Sequence, residues 1–199
     1  MIAAIVLAAG EGSRMGSQKM LLPFAGTTLV GKAAQELIKS RVDRVCVVTG
    51  FDAEEVAGAV ERLDVTIARN PDPGRGMLSS VRTGIASCPP DTQAFLIALG
   101  DQPAISAALV DAIISVYEEA PRPIIVPVYQ GRRGHPLLFH QRFRREVMSD
   151  FDETGLRGLL WRYPEWVTEW PALDGAILQD IDEPEDYRRA LNEEDAQTG

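Results

Sequence analysis

The chain alternates between short, largely apolar runs and longer segments whose apolar residues recur every three or four positions. Continuous apolar runs are typical of strands buried on both faces of a parallel sheet, and the spaced pattern predicts amphipathic helices between them. The predicted strands lie at 2–9, 42–48, 65–68, 94–99 and 123–128. This alternation implies right-handed crossovers and a single Rossmann-like domain, a three-layer α/β/α arrangement with a mostly parallel sheet.

Helix start signals fit the same alternation. The pair Thr27-Thr28 and Ser106 each precede a periodic segment and can cap a helix N-terminus. Other helices are expected at 52–63, up to about 86, at 143–148 and 155–161, and from 184 to about 191. After residue 128 the alternation breaks, leaving a short apolar run at 137–139 and a predicted edge strand at 167–170. We assign residues 1–192 to the domain and 193–199 to a polar C-terminal tail.

The first apolar run ends in a loop with three glycines, Gly10 to Gly16, followed by Lys19. Glycines let the backbone approach a ligand, and the N–H groups of such a loop can bind an anion. Arg14 and Lys19 add positive charge, which favours a phosphate site over an ordinary turn. The spacing fits neither a Walker A loop nor a dinucleotide fingerprint, and Val48-Thr49-Gly50 lacks the acid that would hold a ribose. Both mismatches argue against a nicotinamide-dependent dehydrogenase.

Acidic residues follow two later segments. Asp101 stands just after the strand at 94–99, where open α/β sheets bind ligands, so its carboxylate could hold Mg²⁺. Gly-Asp-x-Pro is also good turn chemistry, so a turn stays the alternative. Asp180 and Asp182 share one face of an extended segment that is directed toward solvent or a metal, so either could be the second acidic metal ligand. Asp182 stands three residues before Glu185 and is interpreted as a helix N-cap, whereas Asp180 has no such structural role.

Further polar and aromatic residues each have a functional and a structural interpretation. His135, between Gly134 and Pro136, could orient a phosphate, transfer a proton or bond a loop carbonyl. Arg157 begins a predicted helix, where anions are favoured. Ser79 and Ser80 are better placed to contact a nucleotide at a helix start than to act as nucleophiles, because no histidine base lies near them in sequence. We interpret three tryptophans as packing residues: Trp161, Trp166 and Trp170.

Composition excludes some partners. The formal charge of −9 argues against binding nucleic acid or an anionic membrane, since either needs a basic face. No segment approaches the ~20 apolar residues that span a bilayer, and the apolar start lacks the basic region of a signal peptide. Two cysteines form no disulfide framework and predict free thiols in a reducing compartment. These features predict a cytoplasmic protein.

Taken in order, the motifs resemble the MobA-like nucleotidyltransferases, and within them the molybdenum cofactor cytidylyltransferases of the MocA type. The family signature L-A-A-G-x-S-x-R-M-G-x-x-K-x-L-L is similar to residues 7–22. Its N-P…G-M-x-S-S, G-D-Q-P and G-x-x-G-H-P blocks match residues 70–80, 100–103 and 131–136. Its G-D-x-G-A-R and D-I-D-x-P-E-D blocks resemble residues 152–157 and 180–186.

The resemblance implies a nucleotide-diphospho-sugar-transferase-like fold and Mg²⁺-dependent transfer of a nucleotidyl group from CTP to a molybdopterin. It makes Arg14, Lys19 and Asp101 catalytic, and Asp101 and Asp180 metal ligands. It implies that the acceptor is bound by Gln102, His135 and Arg157. The implied nucleotide-binding residues are Leu7, Ala8, Ala9, Gly10, Gly12, Ser13, Arg14, Lys19, Asn70, Gly76, Ser79 and Ser80. A molybdenum hydroxylase or its chaperone is the implied protein partner.

Some positions depart from the family pattern. Gly12 replaces the first serine of the glycine-loop signature. In the acceptor-side block, Asp152 replaces a glycine, Glu153 an aspartate and Leu156 an alanine, so these changes bear on the identity of the acceptor. Leu-Ala-Ala-Gly at 7–10 favours CTP, and a GTP-dependent guanylyltransferase of the same fold is the nearest alternative. A non-catalytic protein that carries molybdopterin for a hydroxylase is an alternative of another class.

Overall fold

The computed structural model describes residues 1–11, 18–120 and 122–198. Its helices are α1 (Leu29–Lys39), α2 (Ala53–Val60), α3 (Met77–Ser87), α4 (Ala107–Glu119), α5 (Arg144–Ser149), α6 (Arg157–Arg162) and α7 (Pro184–Thr198). Its strands are β1 (Ile2–Ala8), β2 (Pro23–Phe24), β3 (Thr27–Thr28), β4 (Arg44–Thr49), β5 (Thr66–Arg69), β6 (Ala94–Leu99), β7 (Ile124–Tyr129), β8 (Arg132–Arg133), β9 (Leu137–His140) and β10 (Val167–Pro171). The five strands expected from the sequence are present, with ends shifted by one or two residues in most cases. Thr28 and Ser106 cap α1 and α4 through their side-chain oxygens.

The main sheet has the strand order β10-β7-β9-β6-β1-β4-β5, with the short β8 paired to β7. β1 lies in the interior of the sheet and pairs in parallel with both β4 and β6. β9 runs antiparallel between β6 and β7, and β10 forms the edge. The sheet is therefore mostly parallel, as predicted. Because β9 is antiparallel, its beginning lies beside the end of β6, which brings His135 next to Asp101.

Two hydrophobic layers cover the sheet, one on each face. Along β1, alternate side chains point to opposite faces, as a strand requires. Ala3, Ile5 and Leu7 pack on α3, α5 and α6, while their neighbours in sequence pack on α1, α2 and α4. This arrangement confirms the three-layer α/β/α fold.

The C-terminal helix differs from the sequence prediction in length and in its cap. α7 extends to Thr198, whereas an end near residue 191 was expected. The predicted N-cap role of Asp182 is wrong: Asp186 accepts the backbone N–H groups of residues 182 and 183, at 3.2 and 3.0 Å. The carboxylate of Asp182 is directed instead to Lys19. Tyr187 of α7 contacts the small apolar cluster around Phe24, so the helix is fixed to the β2–β3 hairpin.

Both cysteines are free, as predicted, and burial raises the pKa of the Cys88 thiol to about 12. Among the described helices, none has the combination of length and apolar character that crossing a membrane requires.

Gly84 sets the distance between α3 and the sheet. A Cβ at this position would lie 2.4 Å from Ile5 Cγ2 and 3.1 Å from Val48 Cγ2. We expect Gly84→Ala to lower the free energy of unfolding by roughly 1–3 kcal/mol through overpacking. The matched control is Gly58→Ala in α2, where a Cβ meets no atom within 4 Å. That change is expected to stabilise the protein by roughly 0.5–1 kcal/mol. Urea denaturation of both variants measures the difference, and equal effects would contradict close packing at residue 84.

Candidate active site

The candidate site lies along the edge of the sheet where β1, β4, β5 and β6 end and β9 begins. Asp101 stands at the centre of this edge, two residues after β6. Gly10 and Asn70 follow β1 and β5 on one side of it, and His135 precedes β9 on the other. Ligands of open α/β sheets bind at this edge. The strand order therefore separates two halves of a cleft with Asp101 between them.

Lys19 connects the glycine loop to the acidic half of the cleft. Its Nζ lies 2.5 Å from Asp101 Oδ2 and donates to Asp182 Oδ1 at 2.9 Å and to the Ile181 carbonyl at 3.0 Å. Burial works to lower the pKa of Lys19, but the two carboxylates outweigh it and raise the pKa above its usual value. The pKa of Asp101 is also raised, by its burial and by the nearby Asp180, against the opposing effect of Lys19. Lys19, Asp101 and Asp182 are far apart in sequence, but they form one charged cluster in the folded chain.

Asp180 is held by the side chain after Asp101. The buried Gln102 donates its amide hydrogens to Asp180 Oδ1 and, at 3.4 Å, to the Ile177 carbonyl. The pKa of Asp180 is raised by burial and by Asp182, while the bond from Gln102 opposes the rise. Gln102 was predicted to bind the acceptor, but its amide nitrogen is committed to Asp180. Its Oε1 is buried without a hydrogen-bond partner among the described residues.

Gln18 joins the two ends of the glycine loop. Its Nε2 donates to the Gly10 carbonyl at 3.1 Å and to Asp52 Oδ2 at 3.0 Å. Close packing continues at Gly50, where a Cβ would lie 2.7 Å from the Ala9 carbonyl oxygen. The segments that follow β1 and β4 are therefore held together. The role of Gln18 was not predicted from the sequence, because it depends on partners distant in sequence.

The predicted nucleotide-binding residues near β1 differ in their surroundings. Leu7 and Ala8 belong to the buried part of β1, and Gly10 is exposed at the cleft. Three of the predicted residues lie outside the described residues: Gly12, Ser13 and Arg14. Their roles stay predictions.

Asn70 organises the loop that precedes α3. Its Nδ2 donates to Ser79 Oγ at 2.8 Å and to Ser80 Oγ at 3.0 Å, and its Oδ1 accepts the Asp72 N–H at 3.0 Å. Gly76 has φ of +88° and ψ of 179°, a conformation that essentially only glycine adopts. It precedes α3 without a side-chain cap, and its carbonyl accepts the Ser79 N–H at 3.1 Å. The first two N–H groups of the helix have no backbone partner among the described residues and stay available for a ligand. The predicted nucleotide residues therefore shape this helix start, with their side chains occupied by one another.

A cavity of about 240 Å³ lies on the other side of Asp101, and we call it the His135 cavity. Its lining includes Val126, Arg133, His135, Leu137, Leu156, Arg157 and Trp161. It brings together His135 and Arg157, two of the three residues predicted for the acceptor. Trp161 was predicted to be a packing residue, but 64% of it is exposed to solvent. That prediction is wrong, and the signal was available: Trp161 is four residues after Arg157 on one helix and therefore shares its face.

The segment that precedes α6 is tied to α3 by Arg82, whose role was also not predicted from the sequence. Its guanidinium donates to Asp152 Oδ1 at 2.7 Å and to the carbonyls of Val147 and Asp150 at 2.9 and 2.6 Å. Asp152, one of the departures from the family pattern, thus joins the two halves of the cleft.

His135 is expected to be uncharged at neutral pH. Burial, with the nearby Arg157, lowers the pKa of its imidazole to about 4, although Asp101 opposes the shift. In the unfolded chain the ordinary value is ~6.5. The unfolded state then binds more protons between these values, so His135 makes the protein less stable as pH falls from 6.5 to 4. NMR titration of the His135 ring protons, assigned with His135→Asn, should show a midpoint near 4. A midpoint near 6.5 would contradict a desolvated imidazole.

The acidic half of the cleft has the donor chemistry that suits a hard divalent cation. Asp101 and Asp180 offer carboxylate oxygens, and the pKa of each is raised mainly by burial and further by a neighbouring carboxylate, Asp180 for Asp101 and Asp182 for Asp180. Within the described ranges, no group of three or more His, Cys, Asp or Glu side chains is arranged to hold a metal alone. Mg²⁺ is commonly held by one or two carboxylates plus substrate phosphates. Two carboxylates beside a predicted triphosphate site fit that pattern.

Comparison with known proteins identifies the family. Residues 4–166 match the family model of the MobA-like NTP transferase domain. The chain belongs to this family. It is therefore a nucleotidyltransferase of the MobA-like type, as its sequence motifs predicted.

Two curated relatives cover almost the whole chain. The molybdenum cofactor cytidylyltransferase of Escherichia coli (strain K12) is 27% identical over 187 residues, which cover 94% of this chain and 93% of the relative. The nicotine blue oxidoreductase of Paenarthrobacter nicotinovorans is 31% identical over 199 residues, 96% of each chain. MobA-like sequences of this similarity thus carry the names of two different activities.

Solved structures agree with the fold. A nucleotidyl transferase from Methanothermobacter thermautotroptrophicus is 29% identical with a TM-score of 0.84, covering 100% of this chain and 99% of its own. Rv0371C of Mycobacterium tuberculosis H37Rv, in a complex with manganese, is 28% identical with a TM-score of 0.77. The alignment covers 96% of this chain and 98% of Rv0371C.

Proposed function

We propose that this enzyme transfers CMP from CTP to the terminal phosphate of a molybdopterin and releases pyrophosphate. The observation that carries the proposal is the charged cluster, in which Lys19, beside the glycine loop, lies 2.5 Å from Asp101 at the centre of the cleft. The full-length similarity to a molybdenum cofactor cytidylyltransferase supports the choice of substrates. Leu-Ala-Ala-Gly at 7–10 supports CTP over GTP.

The proposed reaction is an in-line displacement without a covalent enzyme intermediate. An oxygen of the acceptor phosphate forms a bond to the α-phosphorus of CTP, and the bond from that phosphorus to the β-phosphate oxygen breaks. Such chemistry depends on positioning and on neutralising charge. Lys19, together with Arg14 in its predicted phosphate-binding role, stabilises the charge that develops on pyrophosphate. His135, uncharged, and Arg157 orient the acceptor phosphate.

Asp101 and Asp180 would hold the divalent cation, and Gln102 keeps Asp180 in place. The manganese complex of Rv0371C supports a divalent metal in this fold, and oxygen ligands favour Mg²⁺. When bound, the cation supplies charge neutralisation on the triphosphate. Lys19 must then exchange its contact with Asp101 for one with phosphate.

A nucleotide panel tests the proposal. Purified enzyme is incubated with molybdopterin, Mg²⁺ and either CTP or GTP, and pyrophosphate is measured. The expected result is release that requires both CTP and acceptor. Pyrophosphate release with GTP but not with CTP would favour the guanylyltransferase alternative. Binding of molybdopterin without release, followed by its delivery to a molybdenum hydroxylase, would favour the carrier alternative.

The oxidoreductase name of one relative calls for a separate control. Oxidation of NADH or NADPH by an aromatic dye, followed by absorbance, measures that activity directly. The glycine-loop spacing and the absence of a ribose acid after β4 predict no turnover. Dye-dependent oxidation in place of pyrophosphate release would overturn the proposed function.

A further inference from the structure

The His135 cavity contains an aromatic side chain that packing does not explain. Trp161 is 64% exposed, whereas Trp166 and Trp170 are half-buried and pack against the two core layers. Trp166 also lies 4.1 Å beneath the Arg142 guanidinium. Trp161 instead forms part of the wall of the cavity. A large aromatic surface exposed inside a concave site is available to a ligand.

Of the two arginines that line the cavity, one is in an ion pair with a described residue and one is not. Arg133 forms an ion pair with Glu169 at 2.8 Å. Arg157 is exposed and forms no ion pair with any residue in the part of the chain that the structure describes. His135 adds hydrogen-bonding capacity without charge at neutral pH. The cavity thus offers one net positive charge at Arg157.

We propose that Trp161 determines acceptor specificity by stacking on a planar heteroaromatic ring, while Arg157 binds the phosphate carried by the same molecule. This inference deepens the proposed function and rests on it for the identity of the acceptor as a pterin. Arg157 and Trp161 are one turn apart on α6, about 6 Å along the helix axis. That spacing suits a ring and a phosphate joined by a short linker.

Cavity size and lining support a ring rather than a whole nucleotide. The volume of about 240 Å³ is below the roughly 300–1,000 Å³ of sites that enclose a drug-sized ligand. Leu156 and Leu137 line the cavity and complete an apolar slot beside Trp161. Leu156 replaces the alanine of the family block, so this chain has a bulkier slot wall than the resemblance implies. The predicted nucleotide residues lie across Asp101, on the β1–β4–β5 side.

The test compares Trp161→Ala with Trp161→Phe, which keeps an aromatic ring. Calorimetry measures binding of 6-hydroxymethylpterin phosphate, and pyrophosphate release measures the KM for molybdopterin and for CTP. Stacking of one base is worth roughly 1–3 kcal/mol, so Trp161→Ala should raise the pterin Kd and the molybdopterin KM roughly 5- to 150-fold. Trp161→Phe should stay within about threefold, and the KM for CTP should not change. Because Trp161 is exposed, thermal unfolding of both variants should match wild type.

The outcomes separate this inference from the proposed function. If wild type releases pyrophosphate and Trp161→Ala has unchanged constants, the stacking role is wrong and the proposed function stands. If wild type binds the pterin phosphate through Trp161 but releases no pyrophosphate, the proposed function is wrong and the site stands. A rise in the KM for CTP alone would assign the cavity to the nucleotide and overturn the inference. So would failure of wild type to bind the pterin phosphate.

Discussion

Replacing Asp101 by asparagine should lower kcat/KM for pyrophosphate release by roughly 10³-fold, because it removes a charged ligand of the cation. Asparagine keeps the shape of the buried side chain but not its charge. The backbone bond from the Ile181 N–H to the Asp101 carbonyl, at 3.0 Å, is unaffected by the change. The fold should therefore persist, and thermal unfolding should confirm it. Steady-state kinetics over a range of Mg²⁺ concentrations gives the measurement.

Asp182→Asn is the matched control for Asp101→Asn, because both carboxylates contact Lys19 Nζ. Asp182 has about half of its side chain exposed, at 52%, against 12% for Asp101. We expect the control to lose less than about tenfold in activity, since an exposed ion pair contributes little. Equal losses in both variants would assign Asp101 to the Lys19 ion pair rather than to the metal. Activity near wild type in Asp101→Asn would remove it from catalysis altogether.

The parallel core could be predicted from sequence because its strands are apolar on both faces. β6 was predicted with its observed bounds: Ala94 to Leu99 form one apolar run between Gln93 and Gly100. The position of β9 could not be predicted. Its apolar run is short, and its place between β6 and β7 depends on pairings across the sheet that no local pattern encodes.

Site residues could be predicted where the chemistry needs a particular residue type. The partner of a side chain was harder to predict where more than one partner was possible. Asp101 and Lys19 were both named, but their direct contact was not. Asp182 was interpreted as a helix cap because the local spacing favours one. Instead its carboxylate accepts a hydrogen bond from Lys19, which is distant in sequence, and Asp186 accepts the Asp182 backbone N–H. Trp161 was assigned to packing because most tryptophans are largely buried. Its exposure follows from α6 placing it on the face that Arg157 shares.

Lys19→Met should have two opposite effects that separate its roles. Loss of the positive charge beside the triphosphate should lower kcat roughly 10²- to 10³-fold. In the enzyme without nucleotide, however, Lys19 occupies Asp101 Oδ2 at 2.5 Å, where a cation is proposed to bind. Removing it takes away the positive charge that favours the ionised forms of Asp101 and Asp180. Calorimetry with Mn²⁺ in the absence of nucleotide should therefore show tighter binding than wild type.

The same variant should also be less stable, by an amount that depends on pH. Methionine leaves the largely buried Asp101 carboxylate unpaired, which should cost roughly 1–3 kcal/mol of unfolding free energy at pH 7. The raised pKa of Asp101 allows it to take up a proton as pH falls, so the loss should shrink toward pH 5. Lys32→Met is the control, because Glu36 Oε1 keeps Lys39 at 2.9 Å after Lys32 is removed. Weaker Mn²⁺ binding in Lys19→Met, or a loss of stability that grows toward acid pH, would contradict the assignment of Lys19 as the counter-ion that the metal displaces.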